Sequence, residues 1–326
     1  MSRVHNALRK AAQENPSQED PQQDRPEIPR PPRVPSAGPT YAGLDPYAVA
    51  SPDGVATQEL DLPNEMEDIE AAIAVARRME FHPLSDALLV HPNKPREAPA
   101  EEFRTLRTRL NHLQTTQPIH TLVITSPSPA EGKSFTAANL ALTQSQLKGK
   151  RILLADFDFR RPTVDKTFQV PISPGMTNYL QGTASLGDIL MRVGDSNLYV
   201  ITAGDPVPNP LELLNLRECS TLIAGLRNHF DWVILDSPPL LFAADGNLLS
   251  TMADGTVLVV RIGTTTYDSV SRAVQSLCEN NVLGIVVNGA RRGELYSKYT
   301  YYHDYYYQAD GQTREEDVPM VAEPVE

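Results

Sequence analysis

Three short stretches of this 326-residue chain carry residue types whose spacing suits the handling of a polyphosphate. The first is Thr125-Ser-Pro-Ser-Pro-Ala-Glu-Gly-Lys-Ser134. A Gly-Lys-Ser triplet between an apolar run and a helical pattern is the setting of a phosphate-binding loop, where backbone N–H groups and a helix N-terminus supply partial positive charge. Lys133 adds a full charge, and the Ser134 hydroxyl suits Mg²⁺. Pro127 stands where such loops usually open with glycine, and neither Pro127 nor Pro129 has an N–H, so the cradle is expected from Ala130, Glu131, Gly132, Lys133, Ser134 and Phe135. The second stretch is Asp156-Phe-Asp158-Phe-Arg160. On an extended segment both acids face one way and repel unless a cation lies between them. That suits a metal and a base for a hydroxyl nucleophile; a solvated turn with Arg160 as counter-ion fits the same residues. The third, Val233-Ile-Leu-Asp236-Ser-Pro-Pro, is again an apolar run ending in a carboxylate.

A different feature lies near the C-terminus. Seven of the twelve tyrosines fall between Tyr296 and Tyr307, namely Tyr296, Tyr299, Tyr301, Tyr302, Tyr305, Tyr306 and Tyr307. Their neighbours are polar and lack the aliphatic alternation of a half-buried strand. Phosphoacceptor residues and a sticky aromatic tail both fit this pattern.

The elements that must position these groups follow from hydrophobic patterning. Aliphatic runs at 121–125, 152–155, 198–202, 232–235, 256–262 and 283–288 read as strands. Between them, helical patterns run over 134–147, 211–228 and 269–279. Near-continuous apolar strands alternating with helices predict an α/β fold with a mostly parallel sheet covered on both faces. Ligands in such folds sit beyond the carboxyl ends of strands, where all three motifs fall. Asn288 also ends a strand, in position to meet a nucleotide base or simply to make a turn. Upstream, helices are predicted over 66–81 and from about Ala100, the latter carrying Phe103, Leu106 and Leu110 on one side.

Eleven of the 28 prolines occur by Pro63, among polar residues too poor in apolar surface to offset the entropy of ordering. The predicted organisation is therefore an extension over 1–65, with one short amphipathic helix before a Pro-rich linker, and a helical lead-in over 66–114. A nucleotide-binding domain over 115–293 and a tyrosine-rich, acidic tail over 294–326 complete it. The net charge of −12 argues against nucleic acid as the main partner. No apolar run approaches the roughly 18 residues of a membrane span, and no signal peptide is visible, which predicts a cytoplasmic protein. Cys219 and Cys278 have no metal-type spacing and read as buried thiols.

Taken jointly, Pro129-Ala-Glu-Gly-Lys-Ser134, Asp156-x-Asp158-x-Arg160, Asp236-Ser-Pro-Pro and the tyrosine cluster resemble the bacterial tyrosine kinases, P-loop enzymes of capsule and exopolysaccharide export. Glu101-Glu-Phe-Arg104-Thr-Leu-Arg107 and Gly204-Asp-Pro-Val-Pro-Asn-Pro-Leu-Glu-Leu-Leu214 extend the resemblance, which spans roughly residues 89–307. It implies a P-loop NTPase fold, with ATP and Mg²⁺ required. Lys133 would hold the β- and γ-phosphates, Asp156 would accept the tyrosine proton, and Asp158 would join them as a catalytic residue. Ser134, Asp156 and Asp236 would surround the metal, and Asp158 and Asp236 would organise it and its waters. Glu101, Arg104 and Arg107 match the family's ring-interface motif, although ordinary surface charge pairs have the same spacing. The implied partners are other copies of the chain in a ring, a separate membrane polysaccharide co-polymerase acting as activator at the inner face of the plasma membrane, and a phosphotyrosine phosphatase. The runner-up is a nucleotide-switched scaffold ATPase of the septum-positioning or partition type. Those proteins carry an extra lysine near the position of Ser128, which this chain lacks. A third possibility is a binding module whose tyrosine tail recruits partners.

Overall fold

The computed structural model describes residues 65–81, 90, 100–277 and 282–290, which belong to one compact unit. The proline-rich extension, Cys278 and the whole tyrosine cluster lie outside the described residues.

Eight strands form one sheet: β1 (Arg77–Met79), β2 (Thr121–Thr125), β3 (Ile152–Asp156), β4 (Met191–Val193), β5 (Leu198–Ile201), β6 (Trp232–Asp236), β7 (Gly255–Arg261) and β8 (Val282–Asn288). Their spatial order is β1-β4-β5-β3-β6-β2-β7-β8. All neighbouring pairs run parallel except β4 and β5. The central strands are buried along their full length, which explains their unbroken aliphatic sequences.

Alternation sorts the strand residues onto two cores. Val123, Leu153, Ala155, Val233 and Leu235 face one layer, where Ile69, Ala72 and Ile73 of α1 (Glu65–Val75) meet Leu222, Ile223 and Leu226 of the helix Arg217–His229. Leu122, Ile124, Ile152, Leu154 and Ile234 face the other. There they pack on Phe103 and Leu110 of α2 (Ala100–Thr116) and on Ala137, Leu140 and Ala141 of α3 (Lys133–Gln144). Truncating any of these buried leucines to alanine is expected to cost about 2–5 kcal/mol.

Several expected boundaries change. The helix predicted over 66–81 stops at Val75, and β1 follows, pairing only with β4 at the sheet edge. The single helix over 211–228 is two, Pro210–Leu214 and Arg217–His229, because the chain is extended at Leu216. Helix α2 packs into the same core as the strands and runs to Thr116.

Candidate functional site

The phosphate loop joins β2 to α3. Gly132 adopts φ +96°, and the first intrahelical bond runs from Thr136 N–H to Gly132 O at 2.9 Å. The N–H groups of Lys133, Ser134 and Phe135 thus precede the helical ladder and have no intrahelical acceptor, the arrangement that draws anions. Ala130 also takes a left-handed φ, +63°. The loop is held from below by Glu131, whose buried carboxylate accepts from Ser128 N–H at 3.0 Å and from the Thr265 hydroxyl at 2.6 Å. Asn288 Nδ2 donates to Glu131 O at 2.9 Å, and Arg261 Nη1 donates to Ala130 O at 3.2 Å. Glu131 and Asn288 therefore act on the loop itself. For Asn288 that is a contact to backbone, where a nucleotide base was the expected partner.

The acids gather at the adjoining strand ends. Asp156 and Asp236 are the last residues of β3 and β6 and stand in register across the parallel pair. Both are buried. Asp158 lies past the strand and accepts from Lys133 Nζ at 2.6 Å, while Lys133 Nζ stands 3.8 Å from Asp236 Oδ1. β3 ends at Asp156 and the chain turns, yet Asp156 and Asp158 both lie near enough to Lys133 to favour its charged form. Asp156 Oδ1 accepts Asp158 N–H at 3.0 Å, and its Oδ2 accepts Thr163 and Val164 N–H at 3.1 Å each. The close acid pair is Asp156 with Asp236.

Burial raises the Asp156 carboxyl to about 8, with the Asp236 charge adding to the shift and the backbone N–H bonds opposing it. Burial also raises Asp236, to about 6, against the pull of Lys133. For Lys133, burial favours the neutral amine, but Asp236 and Asp158 outweigh it and hold the ammonium above its usual range. Neither carboxylate oxygen of Asp236 has a partner at hydrogen-bonding geometry, although the nearby Ser134 hydroxyl and Ser237 N–H favour its charged form. A fully buried acid left so is a ready ligand for a hard cation. Among the described residues no cluster of three or more His, Cys, Asp or Glu could cage a metal alone. Mg²⁺ takes one or two carboxylates and completes its octahedron with phosphate oxygens and water, a role open to Asp236.

Two features of the site were not legible beforehand. Arg160 forks onto Asp245 at 2.7 and 3.1 Å, tying the Asp158 loop to the start of the helix Asp245–Met252. Thr265, in the turn after β7, props the phosphate loop through Glu131. Neither Asp245 nor Thr265 belongs to a motif read from the sequence.

The residues expected at the ring interface divide. Glu101 and Arg104 pair with each other on the outer side of α2. Arg107 Nη1 instead donates to Thr143 O of α3 at 2.9 Å. On the inner side, Phe103 meets Phe135 edge-on at 5.9 Å between ring centroids, so this helix touches the phosphate-loop helix directly.

A parallel sheet with a Gly-Lys-Ser loop, a buried lysine and carboxylates ending adjacent strands defines a P-loop NTPase fold. Comparison with known proteins narrows the class. No family model matches the chain. Tyrosine-protein kinase YwqD of Bacillus subtilis is 36% identical over 211 residues, covering 64% of this chain and 88% of that protein. Among solved structures, the chimerical protein CapA2B2 superposes with a TM-score of 0.59 at 29% identity, over 68% of this chain and 97% of that one. The kinase domain of the Escherichia coli tyrosine kinase ETK gives the same TM-score at 30% identity, over 66% of this chain and 90% of that one. The chain belongs to the bacterial tyrosine-protein kinases. Among the described residues no helix is long and apolar enough to cross a membrane.

Proposed function

We propose that this protein is an ATP- and Mg²⁺-dependent tyrosine autokinase that phosphorylates the Tyr296–Tyr307 cluster of a neighbouring copy. The observation that carries the reading is the convergence of Lys133, Asp156, Asp158 and Asp236 at the ends of β2, β3 and β6, in a chain that also supplies a cluster of phenols. In the reaction a tyrosine Oη forms a bond to the γ-phosphorus. The bond from that phosphorus to the β–γ bridging oxygen breaks, ADP leaves, and the phenolic proton passes to a carboxylate. Lys133 balances charge on the β- and γ-phosphates, and the N–H groups of Ala130 to Phe135 hold their oxygens. Bound Mg²⁺, held by Ser134 and Asp236 beside Asp156, would neutralise phosphate charge.

Asp156 is the proton acceptor in this reading. A carboxylate offers about four lone-pair positions. Three of those on Asp156 are occupied by backbone N–H groups, one on Oδ1 and two on Oδ2, which leaves a position on Oδ1. Its raised pKa makes it a stronger base once ionised. Most of the acceleration comes from positioning and charge neutralisation.

The likeness to the bacterial tyrosine kinases supports a role in regulating exopolysaccharide or capsule polymerisation and export. In that role the protein works as a ring of copies joined through Glu101, Arg104 and Arg107. A separate membrane co-polymerase recruits and activates it at the inner face of the plasma membrane, and a phosphotyrosine phosphatase resets it. The organisation over 1–65, 66–114, 115–293 and 294–326 assigns those tasks to extension, assembly helix, catalytic domain and acceptor tail.

The test is anti-phosphotyrosine signal after incubation with ATP and Mg²⁺, with mass-spectrometric mapping of the modified positions. Lys133→Met and Asp156→Asn are expected to abolish the signal while remaining folded. Hydrolysis that continues with no tyrosine label would instead support the scaffold ATPase.

A further inference from the structure

Phe242 is the only phenylalanine among the described residues left mostly in water, 68% exposed. A loose loop does not account for it. The segment Ser237–Ala244 follows Asp236 directly and is tied along its length: Ser237 N–H donates to Ile124 O, Leu240 N–H to Ser126 O at 2.9 Å and Leu241 N–H to Pro127 O at 3.3 Å. Thr125 Oγ1 donates to Pro238 O at 2.9 Å, and the buried Leu240 is set in a core cluster with Leu258, Ala273 and Leu277. At its far end Asp245 is forked by Arg160, two residues past Asp158. An aromatic ring is thus held out in water on a fixed loop, bounded on one side by the start of the phosphate loop and on the other by the Asp158 turn.

We infer that Phe242 is a specificity-determining residue on the acceptor side of the site, receiving a tyrosine ring next in sequence to the one being phosphorylated. The occupant is the Tyr296–Tyr307 segment of a second copy of this chain, and the inference rests on the autokinase reading. Offset or edge-on ring pairs tolerate changes of partner position and sequence, as one platform serving several acceptors requires. The acceptor sequence has the matching property. Every tyrosine from Tyr299 to Tyr307 has another tyrosine within two positions, whereas the nearest to Tyr296 is three away. Phe242 therefore favours the clustered tyrosines over Tyr296. It also favours acceptors whose neighbour is still unphosphorylated, since phosphate adds about −1.5 to −2 of charge beside an apolar ring.

The test uses the full chain with ATP and Mg²⁺, reading phosphate occupancy at each tyrosine over time in wild type, Phe242→Ala and Phe242→Tyr, with nucleotide affinity measured alongside. Phe242→Ala is expected to slow labelling of Tyr299 through Tyr307 by about fivefold, the effect of losing one aromatic pair. Tyr296 and nucleotide affinity should stay unchanged, and Phe242→Tyr should label as wild type does. Equal labelling in all three proteins overturns the inference, as does uniform slowing that includes Tyr296 or weakened nucleotide binding, which marks a role in folding. If Phe242→Ala labels its tail normally and loses only stimulation by an added activator, the ring serves that partner and the inference is wrong. Wild type that binds nucleotide without acquiring any phosphotyrosine removes the autokinase reading and the inference with it, a result distinct from all the others.

Discussion

Gly132 shows how far one side chain governs this site. Its φ of +96° is strained for any L-residue, and a Cβ there would lie 1.9 Å from Asn288 Nδ2. Gly132→Ala is expected to push Asn288 off Glu131 O and weaken nucleotide binding about five- to thirtyfold, equivalent to the roughly 1–2 kcal/mol of left-handed strain. Titration with a fluorescent nucleotide analogue reads the change, and Gly132→Ala/Asn288→Ala should recover part of it by removing the clash. Asp236 carries a second residue-scale prediction. Its proton is held more tightly in the folded, ligand-free protein than in the unfolded chain, where the ordinary value of about 3.9 applies. The resulting stability is complete below that value and lost as pH rises through about 6. Asp156 acts with the same sign, up to about 8. Without metal or nucleotide, Asp236→Asn should therefore stabilise the protein by about 1–3 kcal/mol at pH 7.5 and much less near pH 4. Urea melts at the two pH values measure this, and a stabilisation independent of pH would reject the account.

At the scale of elements, the site depends on contacts between segments far apart in the chain. The Arg160–Asp245 fork is the clearest: Asp245 is buried to 1% of its side chain, while Arg160 is about half exposed. Arg160→Met leaves a buried carboxylate without its cation and, with the outer half of the pair open to water, is expected to cost about 1–3 kcal/mol, whereas Arg160→Met/Asp245→Asn should recover much of the loss. A double-mutant cycle by denaturant unfolding checks it, and additive losses would show that the fork is not coupled. The same contrast explains what the sequence made legible. Lys133, Asp156 and Asp236 could be found because each ends or follows an aliphatic strand, and local pattern marks strand ends. The partner of Arg160 lies 85 residues away, the hydroxyl holding Glu131 lies 134 away, and no local pattern encodes either distance. β1 was missed because Arg77-Arg78-Met79 buries only its last residue and exists through pairing with β4. Alternation predicts a shared face only while the strand continues, and here the chain turns as Asp156 accepts the N–H of Asp158.

On the scale of the whole molecule, electrostatics links the proposed chemistry to assembly. The chain has a formal charge of −12 before any modification. Seven phosphotyrosines at about −1.5 to −2 each would add roughly −10 to −14, close to a doubling. In the proposed assembly the phosphorylated tails of several copies are gathered together, and repulsion among them grows with each transfer. The outer side of α2 holds the proposed joint, and its Glu101–Arg104 pair is partly solvent-exposed, so by itself it contributes little against such repulsion. Phosphorylation is therefore expected to dissociate the assembly and dephosphorylation to restore it, giving a cycle driven at one end by ATP and at the other by a phosphatase. Light scattering coupled to size-exclusion chromatography separates the outcomes. The unphosphorylated chain, or a variant with all seven clustered tyrosines changed to Phe, should elute as an assembly, and the phosphorylated wild type as smaller species. Because exposed charges are screened beyond about 8–10 Å at physiological ionic strength, added salt should shift the phosphorylated protein back toward the assembled form. A phosphorylated form as large as the unphosphorylated one at low salt would remove charge repulsion as the switch.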